Sequence, residues 1–303
     1  MIYVMLYGRL GNNLFQIATA ASMAKRSGQD FSAFLQKSYY CTEPDNCYLP
    51  EYIEPFRSTI LRKVKFVEET PQGLRIIYID PNMELFSIPP EESVVVVVDN
   101  FNTKWLDSDV VKELFEIDDK SLIHIKTHYA FLLDDDKNFC SVVVRRGDYM
   151  SLLNDYAICS VNYYKKAMKT INKRCGIQKF LIISDDIDWC KRNLAGNNVY
   201  FIDDEPPLID LYLSALCKNH IISNSTFAFW GCLLTKQEGI TCCPSPWFGI
   251  SQRKLESGQQ KFLPIEWVRI DNYSIYYLVG ILIYLKKVVQ KYSFKFFSLI
   301  FRK

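Results

Sequence analysis

A chain of 303 residues, 49% hydrophobic and 23% charged, is long enough for two ordinary domains or one large one, and its composition is globular. The net charge of +2 conceals an asymmetry. Residues 271–303 hold six Lys or Arg and one Asp, which leaves the remainder at −3; basic residues outside that tail form no patch, so nucleic acid is not an expected partner.

The opening MIYVMLYGRLGNNLF lacks a basic leader followed by a long apolar stretch, which predicts a cytoplasmic protein. Ten cysteines scattered from Cys41 to Cys243 in a chain this large read as reduced, mostly buried thiols. Neither Cys41/Cys47 nor Cys242-Cys243 has the spacing of a zinc site, so no metal is expected.

Ile2 to Tyr7 reads as a buried strand ended by Gly8-Arg9-Leu10-Gly11-Asn12-Asn13, and Leu14 to Lys25 has helical spacing. Strand, glycine-bearing loop and helix open a nucleotide-binding type of α/β unit. Residues 28–92 read as irregular structure with short helices, and Val94 to Val98 as another buried strand. The acidic run Asp134-Asp135-Asp136 reads as a linker, dividing the chain into lobes at 1–136 and 137–270 followed by a tail at 271–303.

From residue 140 onward short apolar runs alternate with amphipathic segments: strand 141–144, helix 161–173, strand 180–183, helix 187–195, strand 199–202, helix 207–218, strand 220–223 and helix 227–235. This alternation predicts a parallel sheet with helices on both faces, and hence an α/β protein of two facing, Rossmann-like lobes.

Ser141-Val142-Val143-Val144 leaves neither face of its strand polar. The residues that follow, Arg145-Arg146-Gly147-Asp148, therefore stand at the carboxyl edge of a sheet, where open parallel sheets bind ligands. Ser184-Asp185-Asp186 and Ser223-Asn224-Ser225-Thr226 fall at the same edge of later strands. Guanidinium groups hold phosphate oxygens in bidentate fashion, and hydroxyls and amides at the start of a helix make an anion site of a second kind. Taken singly, the arginines read as a solvated loop and Ser-Asn-Ser-Thr as an ordinary N-cap. Their recurrence at one edge points instead to a pocket for a diphosphate.

Gly8-Arg9-Leu10-Gly11-Asn12-Asn13-Leu14-Phe15-Gln16 resembles the N-terminal Gly-x-Leu-Gly-Asn-Gln-x-Phe-Gln signature of the α-1,2-fucosyltransferases, glycosyltransferase family 11. Val143-Val144-Arg145-Arg146-Gly147-Asp148-Tyr149 is similar to the family's His-x-Arg-Arg-Gly-Asp-Tyr motif. Ile183-Ser184-Asp185-Asp186 with Trp189, then Ser223-Asn224-Ser225-Thr226-Phe227-Ala228-Phe229-Trp230-Gly231, and finally Pro244-Ser245-Pro246-Trp247-Phe248, follow in the family's order.

The resemblance implies a GT-B type fold, GDP-fucose as donor, no cofactor or required metal, and inverting transfer to the 2-hydroxyl of a terminal β-galactoside on a glycan. It sets Arg145 and Arg146 against the diphosphate with Asp148 orienting them. Ser184, Asp185, Asn224, Ser225, Thr226 and Phe227 would surround the donor, and Gly8, Asn12 and Gln16 would stand on the acceptor side. Departures are Asn13 for a glutamine, Phe229 for a tryptophan, and Val143 for a histidine, which leaves only His124, His128 and His220 in the chain. A transferase using another nucleotide sugar, or a non-catalytic sugar-binding protein, are the competing readings.

In the tail, Tyr273 to Leu285 is nearly all apolar but, at thirteen residues, shorter than the ~20 a bilayer-spanning helix needs. It reads either as a helix packed back on the lobes or as part of an interfacial one. Residues 286–303, with lysines among Val, Phe, Leu and Ile, read as a basic amphipathic segment on an anionic membrane surface, separate from the catalytic lobes. Such a location suits a lipid-linked acceptor at the cytoplasmic face.

Overall fold

The computed structural model describes residues 1–35, 50–69, 71–79, 83–98, 103–133, 139–176, 178–252 and 263–300, with side chains omitted at 50, 51 and 291–300. The expected linker at Asp134-Asp135-Asp136 and the pair Cys41/Cys47 lie outside the described residues.

The first sheet takes β1 (Ile2–Leu6), β2 (Phe31–Leu35), β3 (Arg75–Tyr78) and β4 (Val94–Val97) in the order β2-β1-β4-β3, all parallel. Helix α1 (Leu10–Ser27) links β1 to β2, α2 (Pro50–Arg57) follows β2, and α3 (Ser108–Leu114) and α4 (Asp119–His128) follow β4. The second sheet is also parallel, in the order β10-β9-β8-β5-β6-β7. Its chain order runs β5 (Phe139–Val144), α5 (Val161–Cys175), β6 (Lys179–Ser184), α6 (Ile187–Leu194), β7 (Val199–Phe201), α7 (Pro207–Leu216), β8 (Asn219–Ile221), α8 (Thr226–Leu234), β9 (Thr241–Ser245) and β10 (Val268–Asp271). Helix α9 (Ile275–Ile300) completes the described chain.

The three valines of β5 divide between two cores, as strand alternation requires. Val143 joins the large cluster that includes Leu14, Ile17, Phe115, Leu211 and Trp230, whereas Val142 and Val144 join the one beneath α5 with Tyr163, Tyr164 and Ile182. That large cluster extends from Ile2 to Leu263 and belongs to both sheets. The halves therefore share a core through α1, α3, α7 and α8.

Several expectations need correction. Residues 28–92 contain β2 and β3 in addition to a short helix. Edge strand β3 has three of its four residues exposed, so it gives no apolar alternation to read. Strand β9 (TCCPS) lies inside the sheet despite Pro244, which removes a ladder donor and argues locally against a central strand. Helix α1 begins at Leu10, four residues before its apolar spacing becomes regular.

His220 is an internal member of this core. It is 2% exposed, its Nδ1 lies 2.8 Å from Ser141 Oγ, and burial pushes its pKa down to about 4. The folded state therefore resists protonation over a range in which the unfolded chain, near 6.5, accepts a proton. Stability is retained above 6.5 and lost as pH falls toward 4, by on the order of 3 kcal/mol if the whole shift is realised. Thermal melts of His220→Gln are expected to decline less steeply with falling pH across that window than those of the wild type.

Candidate functional site

The motifs gather at the carboxyl ends of β1, β5, β6 and β8. At the exit of β1, Gly8 adopts φ +79, a left-handed conformation, and a Cβ there would lie 2.5 Å from Asn12 Nδ2. Gln16 is fully buried: its Oε1 accepts from Tyr7 N at 3.2 Å and its Nε2 donates to Tyr7 O at 3.2 Å. Asn13 Nδ2 donates to the same carbonyl at 3.1 Å. The buried amides thus satisfy the backbone at the end of the strand, with the Gln16 side chain internal to the fold.

Helices α1 and α8 meet at their amino ends. A Cβ on Gly11 would come within 2.6 Å of Phe227 N and 2.7 Å of Thr226 Oγ1, a separation only glycine permits. Thr226 Oγ1 donates to Asn12 Oδ1 at 2.8 Å, and Trp230 Nε1 donates to the Gly11 carbonyl at 2.8 Å. Phe15 packs edge-on against Phe229 and Trp230, with ring centroids 5.5 and 4.9 Å away. Asn12 and Thr226, expected on opposite sides of a cleft, are bonded to one another.

The arginine loop follows β5. Arg145, with 21% of its side chain exposed, reaches Asp148 at 2.5 Å and Asp185 at 2.7 Å, and its guanidinium stands 5.2 Å from the Tyr149 ring centroid. Asp185 also accepts from Arg146 N at 2.8 Å, and a Cβ on Gly147 would lie 2.6 Å from its Oδ2. Asp148 turns its second oxygen to Arg9, the N-cap residue of α1, at 3.4 Å. Asp148 and Asp185 therefore link Arg9, Arg145 and the Arg146 backbone across the joint between the sheets.

Arg146 is 6% exposed, pairs with Asp186 at 3.0 Å, and lies over Trp189 at 4.0 Å and Tyr276 of α9 at 5.5 Å. It braces the loop and is far less accessible than Arg145. Tyr149 stacks on Tyr156 with centroids 3.9 Å apart, and burial pushes both hydroxyls up.

On the β8 side, Asn224 Nδ2 donates to Ala157 O and Trp247 O at 3.2 and 2.7 Å, so that the residue ties two loops together. Ser184 Oγ accepts from Asp186 N at 2.9 Å. Ser225 is the N-cap of α8, and its side chain makes no capping bond; Thr226 and Phe227 are half-buried beside Gly11. Among the described residues, Ser223 Oγ, Asn224 Oδ1 and Arg146 Nη1 are buried without hydrogen-bond partners. Unpaired buried polar atoms are costly, and their concentration at one sheet edge suits a polar ligand. His220 is internal to the sheet, His124 is 3.0 Å from Glu205 near the start of α7 and His128 lies against His124 with ring centroids 4.4 Å apart, so no imidazole joins the arginine loop.

Sequence reasoning passed over Arg9, the variable position of its motif, and Tyr276, in the tail. Only the fold brings either to Asp148 and Arg146.

Residues 80–271 match glycosyl transferase family 11. The chain belongs to that family. An O-antigen biosynthesis glycosyltransferase of Escherichia coli, WbnK, is 30% identical over 301 residues, covering 84% of this chain and 97% of the relative. An α-1,2-colitosyltransferase of E. coli is 36% identical over 144 residues, 45% of this chain and 48% of that one; the match thus spans about half the relative's length. Human galactoside α-(1,2)-fucosyltransferase 1 is 27% identical over 146 residues, 46% of this chain and 40% of that one. Among solved structures, the NodZ α-1,6-fucosyltransferase soaked with GDP-fucose aligns at 14% identity and a TM-score of 0.51, covering 77% of this chain and 92% of that one. Its likeness concerns the fold, which in this family 11 chain is the α/β, GT-B type with two parallel sheets.

The close approach of α1 and α8 yields a direct test. Gly11→Ala is expected to lower stability by ~1–3 kcal/mol, the usual range for overpacking, measured by urea unfolding. An unchanged midpoint would mean that the helices separate freely.

Proposed function

We propose that the protein transfers L-fucose from GDP-fucose to the 2-hydroxyl of a terminal β-galactoside, with inversion. The observation that carries this reading is Arg145, the more accessible arginine at the carboxyl end of β5, held between Asp148 and Asp185 and joined through Asp148 to Arg9 at the amino end of α1. A departing nucleoside diphosphate gains negative charge as the sugar–oxygen bond breaks, and a prepositioned guanidinium stabilises that charge. The amide donors in the first turn of α8 face the same need.

The arginines are charge-balanced by carboxylates before the donor arrives. Donor phosphates therefore compete with Asp148 and Asp185 for Arg145, which favours a ligand of at least two negative charges. Ser184, Asp185 and Asn224 act in this reading by fixing the loops around the donor, while Ser225, Thr226 and Phe227 present the α8 amino end. Gly8 and Asn12 shape the joint on which the acceptor would rest, and Gln16 fixes the strand exit behind them.

The colitosyltransferase relative favours a second donor. Colitose lacks the 3-hydroxyl of fucose, and a site that hydrogen-bonds that hydroxyl rejects the deoxy sugar by ~10⁴-fold or more. Incubation with labelled GDP-fucose, GDP-colitose and GDP-mannose, with lactose among the galactoside acceptors, discriminates the readings. Transfer from GDP-fucose is the expected result; donor binding without transfer to any acceptor would favour a binding protein.

Arg145→Ala is expected to reduce kcat at least ~100-fold while the protein still melts cooperatively. Undiminished turnover would remove Arg145 from the mechanism.

Because arginines and a helix amino end supply the positive potential, transfer is expected to continue in EDTA. Activity lost in EDTA and restored by manganese would overturn this part of the proposal.

A further inference from the structure

Helix α9 is not a detached tail. Asn272 Nδ2 donates to Ala157 O at 2.9 Å, Asn272 Oδ1 accepts from Ser160 N at 3.1 Å, and Tyr276 lies over Arg146. Gly280 is buried, and a Cβ there would collide with the Leu153 carbonyl. These contacts fix which side of the helix faces the protein. Of the two readings open for residues 273–285, they favour the helix packed back on the lobes.

The opposite side carries Ile275, Leu278, Leu282, Leu285 and Val289, with exposures of 66, 57, 65, 50 and 64%. At 3.6 residues per turn this stripe centres about 180° around the helix from Gly280. The 3–4 spacing persists in the sequence at Tyr292, Phe296 and Leu299. Lys286 and Lys287 are exposed, Lys291, Lys295, Arg302 and Lys303 follow in the sequence, and residues 272–303 include no acid.

We infer that this stripe is the surface by which the protein lies on an anionic membrane. A continuous apolar face on a cationic, acid-free helix matches the interface of a bilayer, where side chains enter the acyl boundary and lysines meet headgroups. The same spacing would suit a two-stranded coiled coil, but a second copy brings a helix of the same positive sign and no carboxylate to offset it, whereas an anionic surface complements that charge. Lys286 and Lys287 interrupt the apolar run midway, and among the described residues no helix is long and apolar enough to cross a membrane. The helix therefore lies along the surface, holding the arginine loop beside the bilayer through Tyr276 and Gly280. This inference is independent of which sugar is transferred.

The test uses the full chain and vesicles of phosphatidylcholine with or without phosphatidylglycerol, followed by sedimentation. Wild-type protein is expected to sediment with anionic vesicles, less so at high salt, and the exposed-site variant Leu278→Ser/Leu282→Ser/Leu285→Ser to partition at least ~10-fold more weakly with unchanged melting temperature. Equal partitioning of variant and wild type, or no preference for anionic vesicles, would overturn the inference. So would a lipid-free dimer in analytical ultracentrifugation that the triple substitution dissociates, because a second copy would then cover the stripe.

Discussion

The structure depends on the contact between the amino ends of α1 and α8. Gly11 allows the two backbones to approach so closely that Thr226 can bond to Asn12 and Trp230 can reach the Gly11 carbonyl. Because the helices start at the carboxyl edges of different sheets, this contact fixes the edges relative to each other. The aromatic packing of Phe15, Phe229, Trp230 and Phe115 then fills the volume beneath. Burial of so much apolar surface outweighs what the polar pair contributes, while the polar pair sets the alignment.

Charge at the site is organised by this joint. Asp148 belongs to the second sheet's loop but divides its oxygens between Arg145 and Arg9, so one ion network crosses the boundary between halves. Asp185 reaches it from β6, and Gly147 leaves room for its carboxylate. The two neighbouring arginines consequently have different tasks. Arg146, enclosed by Asp186, Trp189 and Tyr276, supports the loop; Arg145 keeps access to solvent.

Helix α9 extends the same logic outward. Asn272, just before it, binds the backbone of the 157–160 segment and its first turn covers Arg146, so an element that reads as an appendage packs against the second sheet's loops. The face left over lies away from the protein, beyond the reach of either core, and is nonetheless apolar.

The sequence by itself determined the local order: the alternation of strands and helices after residue 140, the buried character of β5 on both faces, and the chemical groups at each strand's carboxyl end. These are legible because side-chain periodicity and covalent spacing act over a few residues. Tertiary structure alone decided that Asn12 meets Thr226, 214 positions away, that Arg146 is enclosed while Arg145 is not, that Gln16 turns inward, and that Tyr276 returns from the tail to the arginine loop. Strands β3 and β9 were hidden for a related reason, since an edge position and an internal proline gain their place from sheet neighbours. Contacts between distant positions are chosen by how whole surfaces pack, which no local pattern of residues encodes.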